Sequence, residues 1–256
     1  MPVVRIDNYL DAYRLRAQSA DPHVMAARGD RKDLTEFVNR RILDAIKIVP
    51  EDILLDIGCG DGCLLNMAAG RIAKGIGMTA SEDERLKLQS AFPHSSFIAA
   101  PAQAIPLPDC SASKVVCNAM LLYLPTDEDV YAAFREMARV ARPGATIWVG
   151  EIPQIDEYAH YEMYRGASML GFLWHLLRHN GIRAFLGMIR RWAKAIFGKE
   201  QIILNSAGLF IAKPEKLIAM AENSGLLLQT YFRHKDIDEK GKIEESELRY
   251  DYIFTV

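Results

Sequence analysis

The sequence predicts an α/β protein built on a doubly wound, mostly parallel β-sheet. Between residues 51 and 151, short apolar runs alternate with amphipathic runs of helical spacing. The short runs are apolar on both faces, which is typical of parallel strands covered by helices on both sides. The last two apolar runs are joined by a short charged loop, so they can pair antiparallel. Right-handed crossovers then give the doubly wound arrangement.

Each predicted element has its own local signal. Ser81 and Glu84 have the spacing of a capping box, and Thr126 precedes a run of acids. Pro214 stands at a favoured first helical position, and Gly225 ends that helix. The predicted helices are 1–20, 33–47, 63–72, 81–92, 126–141 and 214–223. The predicted strands are 53–57, 74–78, 96–99, 113–118, 146–151, 226–233 and 248–256.

This order divides the chain into four predicted regions. They are an N-terminal helical cap (1–50), a ligand-binding core (51–151), a helical insertion (152–208) and a C-terminal completion of the sheet (209–256).

Composition restricts the class of protein. The chain has 256 residues, half of them apolar and a quarter charged, so it can bury a large core without disulfides. Its net charge of −2 argues against a general nucleic-acid binder. Four cysteines without a CxxC pair indicate buried free thiols in a reducing, cytoplasmic compartment. The polar N-terminus does not resemble a signal peptide, and the apolar stretch at 169–177 is too short to span a bilayer.

Three glycines follow the first buried strand in the segment ILLDIGCGDGCLL, residues 53–65. Gly58, Gly60 and Gly62 allow the backbone to turn tightly and approach a ligand at the carboxyl edge of the sheet. A dinucleotide fold would have Gly or Ala where Cys63 stands. An acid two residues before GxGxG fits a loop that binds S-adenosylmethionine (SAM) instead.

Two further segments support that ligand: AIPLPDCSASKVVCNAMLLYLP at 104–125 and FREMARVARPGATIWVGE at 134–151. With the glycine loop, they resemble the class I SAM-dependent methyltransferases, in the small-molecule branch. The resemblance implies a Rossmann-like seven-stranded sheet of order 3-2-1-4-5-7-6, with the last strand antiparallel. It also implies SAM as cofactor and S-adenosylhomocysteine as product. No metal-ligand spacing is present, so metal-independent chemistry is expected.

The resemblance implies a cofactor site with two departures from the family pattern. Gly77 is taken to stand where an acid usually binds the ribose, and Pro101 where an Asp usually binds adenine. Thr79, Ser81 or Glu82 is expected to replace the ribose ligand, although Glu82 could equally serve only the helix start. The T-x-S segment also resembles that of lipid cyclopropane synthases. The predicted cofactor residues are Asp56, Gly58, Cys59, Gly60, Gly62, Thr79, Ser81, Glu82, Ala102, Gln103, Asn118 and Tyr13.

The acceptor side has fewer signals. A general base, where one is needed, is predicted among His160, His175, His179 and Glu151, the last at the end of a core strand. Packing or surface roles are the alternatives for the histidines. Residues predicted to contact the acceptor are Met120, Tyr123, Tyr161 and Trp174.

Residues 181–198 predict a basic amphipathic helix. Ile182, Leu186 and Ile189 belong to an apolar stripe, and Arg183 and Arg190 lie largely elsewhere. Three interpretations remain open: a packed helix with a solvated basic face, a lid over the acceptor, or peripheral contact with an anionic membrane.

The predicted function is SAM-dependent methyl transfer to oxygen or carbon of a small-molecule or lipid-like acceptor. A non-catalytic protein of the same fold is the alternative suggested by Gly77 and Pro101. A methyltransferase acting on RNA or protein is disfavoured because NAMLLY replaces an Asn/Asp-Pro-Pro-Tyr motif. A dehydrogenase is disfavoured by Cys63, and no nucleic-acid partner is expected.

Overall fold

The computed structural model describes residues 3–6, 31–124, 126–154, 202–205, 210–238 and 240–256. It also describes residues 174, 177–178, 181–182, 185–186 and 189–190, all of them helical. Backbone contacts divide the chain into two compact units. The larger unit comprises residues 13–154 and 208–256, and the smaller comprises residues 1–12 and 155–207.

The smaller unit contains a two-stranded parallel sheet. Strand β1 (Val3–Ile6) pairs with β7 (Ile202–Asn205), beginning with Val3 opposite Ile202. The predicted helix is therefore wrong at residues 3–6, and the predicted all-helical insertion is wrong at 202–205. Both strands are rich in β-branched residues, which favour extended backbone. Their pairing depends on a partner far away in the chain, which a local helical pattern cannot reveal.

The larger unit is built on one seven-stranded sheet. In chain order its strands are β2 (Ile53–Ile57), β3 (Lys74–Thr79), β4 (Ser96–Ala99), β5 (Ala112–Asn118), β6 (Ala141–Pro153), β8 (Leu227–Ile237) and β9 (Ile243–Thr255). They lie in the order β4-β3-β2-β5-β6-β9-β8. The first five are parallel, and β9 is antiparallel to both β6 and β8. Counted within this sheet, the order is 3-2-1-4-5-7-6, so the predicted topology is confirmed.

Among the described residues, five helices flank this sheet: α1 (Lys32–Ile46), α2 (Cys63–Ala68), α3 (Glu82–Ala91), α4 (Asp127–Val140) and α5 (Pro214–Glu222). Helices α3 and α4 each begin with a side-chain cap. The hydroxyls of Ser81 and Thr126 accept hydrogen bonds from the backbone N–H groups three residues later. Helix α1 begins at Lys32, one residue before its predicted start at residue 33. Helix α2 is shorter than predicted, since the chain turns at Gly70 with a φ of +74°.

Apolar side chains cover the sheet on both faces, as the pattern predicted. One core cluster includes Phe134 of α4 together with Tyr252 and Phe254 of β9. The other packs Ile42 of α1 and Leu65 of α2 with the β6 side chain Trp148 and its neighbours. Among the described residues, no helix is long and apolar enough to cross a membrane.

Candidate active site

The glycine loop between β2 and α2 takes a backbone conformation that other residues rarely adopt. The φ angles of Gly58, Gly60 and Gly62 are +75°, +53° and +74°. The N–H groups of Gly58 and Cys59 both donate to the carbonyl oxygen of Met78, at 3.0 and 2.9 Å. The loop is therefore fastened to the carboxyl end of β3, the edge at which ligands bind in such sheets.

Side chains from two other elements close over this loop. A Cβ added to Gly58 would lie 2.6 Å from Cγ of Met120, and one added to Gly62 would lie 2.9 Å from Cε2 of Phe92. Met120 therefore lies against the glycine loop. From the sequence, Met120 was predicted to contact the acceptor. On the helix side, Oδ1 of Asp61 accepts from the N–H of Cys63, the first residue of α2, at 3.0 Å.

Asp56 is buried in β2 between Gly77 of β3 and Val116 of β5. Burial and the nearby charges of Asp56 and Glu84 raise the pKa of the Cys59 thiol well above its usual range. Cys59 is therefore a neutral packing group within the loop.

All four cysteines are free, but only Cys59 and Cys117 are buried. Cys63 is half-buried and Cys110 is exposed, so the prediction of uniformly buried thiols is wrong.

Gly77 lies inside β3, two residues before the strand ends at Thr79. A Cβ there would lie 2.6 Å from Cδ1 of Phe97 and 2.9 Å from Sγ of Cys59. Gly77 is thus tightly packed, and a side chain there would displace Phe97 or Cys59. Its alignment with the acid of the family pattern stays a prediction.

An acid does reach the end of β3, and it comes from helix α3. The hydroxyl of Thr79 donates to the carboxylate of Glu84, and both side chains are buried. Burial raises the pKa of Glu84, while hydrogen bonds from Thr79 and Ser81 oppose that rise. Glu84 was not predicted as a site residue, because its capping-box spacing from Ser81 was interpreted only as the start of a helix.

Glu82 faces away from this cluster. Its carboxylate is exposed and pairs with Arg85 at 2.6 Å, one helical turn along α3. Of the two interpretations of Glu82, these contacts fit the helix start rather than a ribose ligand. Ser81 is the N-cap of α3, since its hydroxyl accepts from the N–H of Glu84 at 3.3 Å.

The turn after β4 holds the two residues predicted near adenine. Ala100 donates its N–H to the carbonyl of Thr79 at 3.1 Å, which keeps the turn beside β3. Ala102 is buried, and Nε2 of Gln103 donates to Oδ1 of Asp129 at 3.0 Å. The Gln103 amide is therefore tied to the first turn of α4.

Asn118 ends β5 and has both ends of its amide engaged. Its Oδ1 accepts from Nε1 of Trp148 at 3.2 Å, and its Nδ2 donates to Oε1 of Glu151 at 2.9 Å. Glu151 has a left-handed φ of 59° at a bulge, where β6 places two residues opposite Asp251 of β9. Such strain in a non-glycine residue needs support from its surroundings.

That support is a buried charged network from the last two strands. The N–H of Glu151 donates to Oδ1 of Asp251 at 3.0 Å, and Nη1 of Arg249 donates to Oε2 of Glu151 at 2.6 Å. Arg249 also bonds Asp236 at 2.5 Å, and the fully buried ring of His234 lies between Asp236 and Asp251. This network was not predicted from the sequence. Asp251 stands between Tyr250 and Tyr252 in an apolar strand, and a carboxylate in such a strand indicates a buried charged partner.

His234 is charged within the network. Burial alone would lower its pKa, but hydrogen bonds to Asp236 and Asp251 and the charge of Glu151 outweigh burial and raise the pKa to about 9. The Glu151 carboxyl group thus lies close to Asn118, Arg249 and His234, and its role as a general base stays a prediction.

Trp174 and Tyr123 were also predicted to contact the acceptor. Trp174 lies in the smaller unit and is 64% exposed, and Tyr123 is half-buried in a 3₁₀ turn. Five predicted residues lie outside the described residues: Tyr13, His160, Tyr161, His175 and His179. Within the described ranges, no three His, Cys, Asp or Glu side chains form a group that could hold a metal ion.

Comparison with known proteins agrees with this geometry. Residues 55–149 match the family described as "Methyltransferase domain". Methyltransferase GfsG of Streptomyces halstedii is 28% identical over 57% of this chain and 51% of its own length. Malonyl-[acyl-carrier protein] O-methyltransferase of Marinomonas sp. is 25% identical over 54% of this chain and 56% of its own. The chain thus spans about half the length of these curated relatives.

Solved structures share the fold at low sequence identity. The N-methyltransferase NodS from Bradyrhizobium japonicum, in complex with S-adenosylhomocysteine, gives a TM-score of 0.60 at 14% identity. The matched region covers 97% of this chain and 98% of the NodS chain. A SAM-dependent methyltransferase from Methanosarcina mazei gives 0.55 at 17% identity, covering 84% of this chain and 96% of its own.

The family match, the strand order and the glycine loop agree with one another. Residues 55–149 therefore match a methyltransferase domain, and the sheet that contains them has the strand order of the class I, SAM-dependent methyltransferase fold.

Proposed function

We propose that the protein transfers the methyl group of SAM to oxygen or carbon of a small-molecule or lipid-like acceptor. The observation that carries this proposal is the loop of three left-handed glycines, fastened to the end of β3 beside the buried Asp56. One curated relative is named as an O-methyltransferase of a malonyl group on a carrier protein, which favours an oxygen acceptor.

The polar groups at this edge of the sheet fit the cofactor. SAM carries a cationic amine and a ribose with two hydroxyls, and both need hydrogen-bond acceptors. Asp56 and the glycine backbone would hold the methionyl part, while Thr79 and Glu84 would hold the ribose. Ala102 would line the adenine site, with Gln103 beside it. When bound, SAM supplies an electrophilic methyl group.

The residues of this chain would act mainly by positioning the acceptor, because methyl transfer requires the two reactants to be aligned. Met120 lies against Gly58 and would border the methyl group. The Asn118 amide donates to the Glu151 carboxyl group, and these two side chains would form one polar side of the site near the carboxyl ends of β5 and β6. Since the Glu151 carboxyl group also accepts from Nη1 of Arg249, this polar pair suits hydrogen bonding to an acceptor better than early proton removal.

Calorimetric titration with S-adenosylhomocysteine, with NAD as control, tests the cofactor assignment. We expect micromolar binding of S-adenosylhomocysteine and none of NAD. Transfer of label from methyl-labelled SAM to lipophilic hydroxylated compounds and acyl carriers then tests the acceptor class. Binding of neither ligand would contradict the proposal and favour a non-catalytic protein of the same fold.

A further inference from the structure

Four large apolar side chains of the insertion are exposed to solvent. Trp174 is 64% exposed, Ile182 65%, Leu186 55% and Ile189 41%. Ile182, Leu186 and Ile189 have the i, i+4, i+7 spacing of one helical face. The interpretation of this stripe as a plain packed face is therefore wrong for these three residues.

Positive charge accompanies this exposed apolar surface. Arg178 and Arg190 are exposed beside it. Residues 163–199 contain seven Lys or Arg and no Asp or Glu, although the net charge of the whole chain is −2. This stretch thus carries an excess of seven positive charges, and it includes the exposed Ile182, Leu186 and Ile189.

We propose that this part of the insertion docks on an anionic lipid surface without crossing it. The docking surface is defined by Trp174, Arg178, Ile182, Leu186, Ile189 and Arg190. This proposal goes beyond methyl transfer, because it assigns a partner to residues that the proposed function does not use.

The chemistry of the docking surface favours lipid over other partners. Aliphatic side chains enter the boundary between headgroups and acyl chains, and a tryptophan ring suits that same depth. Arginines beside them meet anionic headgroups. A nucleic acid would use the arginines but would leave Ile182, Leu186 and Ile189 in water.

Co-sedimentation of the full chain with vesicles tests this proposal. We expect binding to vesicles of phosphatidylglycerol and phosphatidylcholine, and at least ten-fold weaker binding to pure phosphatidylcholine. The double variant Leu186→Ser/Ile189→Ser should weaken binding to the anionic vesicles by at least ten-fold. Arg178→Glu/Arg190→Glu should do the same, and added salt should weaken binding of the unmodified chain.

Leu227→Ser is the matched control, because Leu227 is 59% exposed on β8 in the larger unit. It should sediment like the unmodified chain. Retained titration with S-adenosylhomocysteine in every variant shows a folded core, independently of the membrane result. The proposal is overturned if the chain ignores anionic vesicles, or if Leu227→Ser loses as much binding. It is also overturned if Leu186→Ser/Ile189→Ser instead abolishes a solution dimer seen by light scattering.

Discussion

Nδ1 of His234 lies 2.9 Å from both carboxylate oxygens of Asp251, and neither side chain is exposed. The other ring nitrogen faces Asp236 at 3.1 Å. A ring with acceptors on both sides must donate from both nitrogens, which requires the imidazolium form. Asp251 also accepts from the N–H of Glu151, so this pair joins β8 and β9 to the strained bulge in β6.

Stability should fall as the pH rises through the range in which His234 loses its proton. The pKa of His234 is raised in the fold from 6.5 to about 9. Its stabilisation is therefore fully present below pH 6.5 and is lost as the pH rises through about 9. The full effect is on the order of 3 kcal/mol in the free energy of unfolding. Urea unfolding at a series of pH values measures it.

His234→Gln should flatten that pH dependence, and Asp251→Asn should reduce it. His94→Asn is the control, because His94 is an exposed histidine of the same unit. Equal slopes for the unmodified chain and His234→Gln would show that another group causes the effect.

Glu84→Ala should weaken binding of S-adenosylhomocysteine by ten-fold or more. Its buried carboxylate is the acid beside Thr79 at the end of β3, and a hydrogen bond to a charged group contributes roughly 1.5–3 kcal/mol. Glu82→Ala is the matched control on the same helix, because Glu82 pairs only with Arg85 in its described contacts. Calorimetric titration compares the two. Equal losses, or none in Glu84→Ala, would remove Glu84 from the ribose site.

Gly77→Ala should destabilise the protein by about 1–3 kcal/mol, the usual cost of overpacking a core. Its methyl group would overlap Phe97 and Cys59. Gly75→Ala on the same strand should cost less, because its nearest contacts would be 3.1 Å from Oγ of Ser95 and 3.2 Å from Cδ2 of Leu65. Chemical denaturation measures both. A neutral Gly77→Ala would mean that Gly77 is not a packing position.

Gly60→Val should abolish binding of S-adenosylhomocysteine while leaving most of the fold intact. Gly60 has a φ of +53°, and a side chain there would both strain the loop and fill its ligand side. Gly144→Val is the control for strain alone, since Gly144 has a φ of +78° and nothing within 4 Å of an added Cβ. Circular dichroism and titration separate the two effects. Normal binding by Gly60→Val would show that the loop was misassigned.

Several of these predictions concern groups that the sequence identified only in part. The tight turn at the three glycines and the caps at Ser81 and Thr126 were predicted correctly, because each rests on residues close together in the chain. The strand order was predicted correctly from the family resemblance. The helix at residues 3–6 was wrong, because the pairing of β1 with β7 joins distant segments.

The sequence by itself determined the alternation of strands and helices and the conformation of the Gly58–Gly62 loop, since backbone preference and hydrophobic spacing act locally. Only the tertiary structure decided which acid reaches the end of β3 and which charges surround Glu151. Glu84 arrives from a helix, while His234, Arg249 and Asp251 arrive from a hairpin far along the chain. Which buried charges meet depends on strand order and register, because a carboxylate is held inside a fold only where its partners are brought within hydrogen-bonding distance.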